Sequence, residues 1–300
     1  MKAAQTRARV EIKNVLFPTD FSLAGDAAIP YATEVVKRFG AKLHALHVRP
    51  PVINPMTEPA TWPVLEKAAA SQAAAQVKGL QEAFPTIKPE VMIEEGNFWE
   101  ILQSAIETKK IDMIVLGTRG RSGAGKFFLG SKAEEIFRQV PCAVLTVGPH
   151  TDGIPPRHGE FTEILYATDF SPESSAAAAY AVSLAQEFQA RLTLLHVIAD
   201  EKPGDLILPG ELVKGSEQRL RTLVPPEAEL WCEPRFAVEQ GAAAETILQV
   251  AKDRKADLIV LGVHRPTGIP GAATHLPMAI AHKVVSHAQC PVLTVRGEAK

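Results

Sequence analysis

Three hundred residues with 46% hydrophobic and 22% charged content describe an ordinary globular chain, long enough for about two domains that each bury a core. A formal net charge of -2 and a pI near 6.5 give no global field for DNA, RNA or acidic lipid. Nucleic-acid and membrane partners are therefore not expected, and a small soluble ligand is.

From the start, EIKNVLFPTDFS reads as a strand stopping at Pro18-Thr19-Asp20, and DAAIPYATEVVKRFG as a helix closed by Gly40. KLHALHV is a second strand. The Pro-rich RPPVINPMTEP leads into WPVLEKAAASQAAAQVKGLQEAF, whose alanines favour helix. KPEVMIEEG is a third strand, and NFWEILQSAIETKK a helix whose Phe98, Ile101, Leu102, Ala105 and Ile106 fall on one face. Asp112 to Leu116 is a fourth strand, KAEEIFRQV a further helix and CAVLTV a fifth strand, after which GPHTDGIPPRHG has the Gly and Pro of a linker. The basic residues near Met1 precede no apolar stretch of signal type, and no apolar run approaches about eighteen residues, so a cytoplasmic location is expected. Cys142, Cys232 and Cys290 are odd in number and far apart, which argues against a disulfide framework or a zinc site.

Past the linker the chain begins again. ILYATDFS restates VLFPTDFS, RLTLLHV restates KLHALHV, ADLIVLG restates IDMIVLG, and CPVLTV restates PCAVLTV. Asp20 and Asp169 stand 149 positions apart and Cys142 and Cys290 stand 148 apart, so the repeat runs in phase over nearly the whole chain. This is a tandem domain duplication, placed at 8–149 and 160–297. Strands alternating with helices predict a mostly parallel sheet covered on both faces, with ligands beyond the carboxyl ends of its strands.

The stretch between the fourth strand and the next helix carries Gly117, Gly120, Gly123, Gly125 and Gly130, with Arg119, Arg121 and Lys126 among them and Ser131 placed to cap the helix. A glycine-rich backbone opening a helix can aim several N–H groups at a phosphate. Gly120 to Lys126 fits G-x-x-x-x-G-K, but Phe127 stands where a P-loop has Ser or Thr. A surface loop whose glycines only make turns stays open as the alternative.

The spacing G-x2-G-x9-G-[ST], met by Gly117, Gly120, Gly130 and Ser131, resembles the ATP-binding loop of the universal stress protein family. That resemblance implies an α/β fold of two tandem Rossmann-like domains. Each would be a five-stranded parallel sheet with helices on both faces, strands one and four being neighbours. It implies that Pro18, Thr19, Asp20 and Val48 hold adenosine, while Gly117, Gly120, Gly130 and Ser131 hold ribose and phosphates, with the charges of Arg119 and Arg121 alongside. ATP is the implied cofactor, with ADP or AMP as variants and Mg2+ as the accompanying ion. Family members look like dimers joined through the last strand, so the two LTV strands are expected to join the halves as an intramolecular pseudo-dimer, with room for further homo-oligomers.

For Asp20 a turn or helix-capping role remains the competing reading. The second copy keeps Asp169 and Val197 but departs at the loop: Arg265 replaces the second glycine, Met278-Ala279 stands for Gly130-Ser131, and Pro266, Pro270 and Pro277 cannot donate N–H bonds. Its site is expected to be altered or lost, though His264 and Arg265 leave room for another anion. No catalytic set and no metal set is expected: His275, His282 and His287 have spacings unsuited to one face, and His47 and His196 at the ends of the second strands read as packing or hydrogen-bonding residues. The function implied is a regulatory, stress-response nucleotide-binding protein that works by binding rather than turnover. Alternatives are a slow ATPase or nucleotidyl- or phosphate-transfer enzyme, and a nucleotide-free scaffold.

Overall fold

The computed structural model describes residues 10–50, 62–118, 131–148, 150–151, 160–199, 210–230, 232–263 and 275–297. The first copy contributes strands β1 (Asn14–Pro18), β2 (Lys42–Arg49), β3 (Glu90–Glu95), β4 (Met113–Gly117) and β5 (Ala143–Val147). Its helices are α1 (Leu23–Asp26), α2 (Ile29–Phe39), α3 (Trp62–Ala83), α4 (Phe98–Lys109) and α5 (Ser131–Gln139). The second copy contributes β6 (Glu163–Ala167), β7 (Arg191–Ile198), β8 (Arg235–Gln240), β9 (Leu258–Val263) and β10 (Val292–Arg296), with α6 (Pro172–Phe188), α7 (Gly210–Arg221), α8 (Ala243–Arg254) and α9 (His275–His287).

The strands form one ten-stranded sheet in the order β3-β2-β1-β4-β5-β10-β9-β6-β7-β8. Within each copy every pair is parallel. Strands one and four are neighbours, Leu16 facing Ile114 in the first copy and Leu165 facing Ile259 in the second. The copies meet where β5 and β10 pair antiparallel, Thr146 opposite Val292, Leu145 opposite Leu293 and Val144 opposite Thr294. Leu293 is the counterpart of Leu145 in the repeat, so the pseudo-twofold axis passes between them. Each copy's end strand is the other's edge partner, which leaves neither of those edges open.

Alternate strand residues point to opposite faces. On one face Val15, Phe17, Val115 and Leu145 of the first copy and Tyr166, Val260 and Leu293 of the second belong to a single core beneath α2 and α6, and Tyr31 of α2 stacks on Phe161 of the second copy at 6.0 Å. On the other face the cores separate. Leu16, Ile114 and Val144 pack with Leu102 of α4, and Leu165, Ile259 and Val292 pack with Ile247 of α8 and Val284 of α9. Apolar side chains on both faces account for the uninterrupted MIVL and LIVL runs.

One echo of the repeat is structural. Asp112 accepts main-chain N–H bonds from Lys13 and Asn14 at 2.7 and 2.9 Å, and Asp257 accepts from Thr162 and Glu163 at 2.8 and 3.1 Å, so each aspartate opening the fourth strand clamps the entry to the first. The single helix expected over 26–40 is preceded by the separate short turn α1, and α2 begins at Ile29 with Pro30 in its first turn, where its missing N–H costs nothing. Ala179 stands at the matching place in the second copy, and α6 runs unbroken from Pro172 to Phe188.

Candidate crevice beyond strands β1 and β4

At the carboxyl end of the first copy, Pro18 ends β1 opposite Leu46, and Thr19 makes one more ladder bond from its N–H to the Leu46 carbonyl at 2.9 Å before the chain leaves the sheet. β2 continues through His47, Val48 and Arg49, paired among the described residues with β3 alone. Main-chain groups of β2 around Val48 thereby face a gap on the β1 side. On the far side of β1, β4 ends at Gly117, paired with Val147 of β5, and Thr118 bonds back to the same Val147 carbonyl. The divergence of β2 and β4 around the end of β1 makes the crevice expected at the point where strand order reverses.

The turn that closes β1 is tightly specified. Phe21 has φ 58°, the left-handed region a phenylalanine rarely adopts. Its N–H donates to Thr19 Oγ1 at 3.0 Å and the N–H of Ser22 donates to Asp20 Oδ1 at 3.0 Å, an Asx turn. Ser22 in turn caps α1, accepting from the Gly25 N–H. The His47 ring packs against Phe21 with centroids 4.7 Å apart, and its Nδ1 lies 2.8 Å from the Thr19 carbonyl oxygen. A carbonyl can only accept, so Nδ1 carries the proton. The turn reading of Asp20 is thus correct for one oxygen, while the side chain as a whole stays exposed at the crevice mouth.

The second copy repeats this nearly atom for atom. Phe170 has φ 62°, Ser171 N–H donates to Asp169 Oδ1 at 2.9 Å, and His196 Nδ1 lies 2.8 Å from the Thr168 carbonyl. Burial pushes the Asp169 carboxyl up, but the bonds from Ser171 and Ser174 outweigh it and hold the group below the usual carboxylate range. In this copy Arg219 of α7 lies over the Phe170 ring at 3.9 Å, and Gly262 at the end of β9 is packed directly beneath the first turn of α6.

Of the residues singled out from sequence, Pro18, Thr19, Asp20, Val48 and Gly117 are brought to this crevice. Arg119, Gly120, Arg121 and Gly130 lie outside the described residues, as do His264 and Arg265 in the second copy. Ser131 is the first residue of α5, and its side chain is outside the described set. The sequence reading passed over Phe21 and Arg49. Arg49 donates to the Ala69 carbonyl at 2.8 Å, tying α3 to the end of β2 beside the crevice. For Phe21 a signal existed, since the same phenylalanine follows the same Thr-Asp in both copies. Among the described residues no group of three His, Cys, Asp or Glu could hold a metal ion, and no helix is long and apolar enough to cross a membrane.

An exposed carboxylate beside unpaired strand-edge groups can hold hydroxyls and amines, and a glycine-ended strand lets a ligand approach closely. Residues 11–148 and 160–296 each match the model of the universal stress protein family. The chain is 27% identical over 293 residues to a universal stress protein of Mycobacterium tuberculosis, covering 94% of this chain and 96% of that one. It is 34% identical over 140 residues to one of Methanocaldococcus jannaschii, covering 45% of this chain and 81% of the relative. A solved universal stress protein from Archaeoglobus fulgidus shares the fold, with a TM-score of 0.70 at 20% identity over 95% of this chain and 98% of that chain.

Proposed function

Because the chain belongs to the universal stress protein family, we propose that its first half binds an adenine nucleotide, ATP or else ADP or AMP, and that the protein acts in a stress response by binding rather than turnover. The observation that supports this most is the crevice itself: Asp20, fixed by its Asx turn yet exposed, stands beside the unpaired edge of β2 at Val48. Its carboxylate suits ribose hydroxyls or an adenine amine, and the strand edge suits the base. Gly117, the glycines that follow it and the start of α5 would take the phosphates, with Mg2+ as their counterion. A bound nucleotide would there add charge and bulk at the mouth of the crevice and so alter the surface a partner meets.

A second reading, a nucleotide-free scaffold, draws support from the core that both copies share beneath α2 and α6, since such a joint is itself a stable platform. One experiment separates them. Nucleotides released by denaturing the freshly purified protein are identified by mass spectrometry, and ATP is titrated calorimetrically into the stripped protein. Adenine nucleotide in the extract, or saturable ATP binding, is expected. No nucleotide and no heat of binding would leave the scaffold.

A further inference from the structure

α5 is nine residues long, too short to hold its shape without tertiary contacts, and different halves of the molecule claim its sides. Ile136 is buried in the core of the first half with Leu102 and Ile114. The next residue, Phe137, is buried in the core of the second half with Val284, Val285 and Ala288 of α9 and its end. The main-chain carbonyl of Phe137 lies in the last turn, where an ordinary helix would offer it the N–H of residue 141. That residue is Pro141, which has none.

The missing donor comes from the other half. Nη2 of Arg296, the last residue of β10, donates to the Phe137 oxygen at 2.5 Å, and Arg296 is only 7% exposed. The pseudo-twofold counterpart of Arg296 is Gly148, and there a Cβ would lie 3.0 Å from the Val285 carbonyl, so α9 rests against bare backbone. The clamp is one-sided. It is found on the helix that follows the glycine-rich loop of the first half, and not on α9.

We propose that Arg296 is a positioning residue for the nucleotide site of the first half, holding α5 from across the domain joint so that the helix start at Ser131 is fixed at the crevice. The inference rests on the first half being the nucleotide site. Phe137 and Ser131 are six residues apart on the same helix, about 9 Å along its axis, so a shift of the clamped turn is carried to the helix start. A charge-assisted bond to a buried carbonyl is strong and directional, so losing it frees the far end to shift. Coupling between two sites is reciprocal, so a ligand that needs α5 in place also tightens the joint.

The test compares the full-length protein with Arg296→Met, which keeps the aliphatic stem and loses the donors, and Arg296→Lys, which keeps one charged donor. In the ligand-free state Arg296→Met is expected to speed amide hydrogen exchange across residues 135–140, with Arg296→Lys in between. ATP affinity should fall about ten-fold in Arg296→Met, within the usual range of site-to-site coupling, and recover in part in Arg296→Lys. In the wild type, saturating ATP should slow exchange in the same segment. Unchanged exchange across 135–140 in folded Arg296→Met overturns the proposal, as does unchanged ATP affinity in a protein whose wild type binds ATP. If Arg296→Met does not fold, the same criteria apply to Arg296→Lys. A wild type that binds no ATP refutes the nucleotide reading, and with it the site that Arg296 was to position, while faster exchange alone would then mark a purely structural clamp.

Discussion

Gly262 lies so close under Ser174 that a Cβ built on the glycine would stand 2.3 Å from the serine Cα and 2.4 Å from its N. The first glycine of the second loop is therefore required by packing, whatever that loop binds, because helix backbone cannot retreat as a flexible side chain can. Gly262→Ala is expected to destabilise the protein by about 1–3 kcal/mol or more through overpacking. Thermal and urea unfolding would read this, and an unchanged midpoint would mean that α6 does not sit where described.

Gly130→Val should weaken ATP binding while leaving the fold intact. A branched Cβ just ahead of α5 would obstruct the approach of a phosphate to the backbone. Circular dichroism establishes folding and calorimetry the affinity. A folded variant with wild-type affinity would remove Gly130 from the site.

One ATP per chain is expected, bound in the first half. Both copies present the same Asx turn, the same histidine and the same released strand edge, so the adenosine end does not distinguish them. The phosphate end does: Pro266 and Pro270 cannot donate N–H bonds in the second loop, and Pro277 and Met278-Ala279, expected before the last helix, fall inside the start of α9. Each lost charge-assisted bond is worth roughly 1.5–3 kcal/mol, so two or three lower affinity by several orders of magnitude. Asp20→Ala should then abolish the calorimetric signal and Asp169→Ala should leave it. The reverse pattern, or two equal sites, would contradict the assignment.

Asp169 makes the acid limb of stability testable. Its folded-state pKa is depressed by the Ser171 and Ser174 bonds despite burial, so its contribution is present above the unfolded carboxylate value near 4 and is lost as pH falls through the lower folded value. The stability gap between wild type and Asp169→Asn should be constant from neutrality to about pH 5 and close below about pH 4. Urea midpoints across that range would show it. A gap that does not change with pH would mean the carboxylate charge is unused.

Much of this molecule was legible in its sequence, for identifiable reasons. A duplication in phase over nearly the whole chain can be read by comparing the chain with itself, and runs such as MIVL need no more than their apolar character to be buried strands. Thr19 and Asp20 could be placed at the end of a strand because Pro18 stops it. That Asp20 spends one oxygen on its own turn was not legible, since the turn role and the ligand role demand the same residue at the same place. Nor was the break before α2. Pro30 is compatible with the first turn of a helix as well as with its end, and the structure puts it in the first turn of α2, after the separate turn α1.

The sequence by itself determined two α/β copies and their order, because those depend on local pattern and on the repeat, whereas the set of residues expected at the crevice came from the family resemblance. The tertiary structure decided how the copies join. Strand order and the antiparallel pairing of Leu145 with Leu293 depend on contacts between residues 148 positions apart, for which a local pattern holds no information. The same is true of α5, shared between two cores through the adjacent Ile136 and Phe137. The carbonyl that Pro141 leaves without a helical donor is visible in the sequence, but that Arg296 answers it is a fact of the folded joint alone.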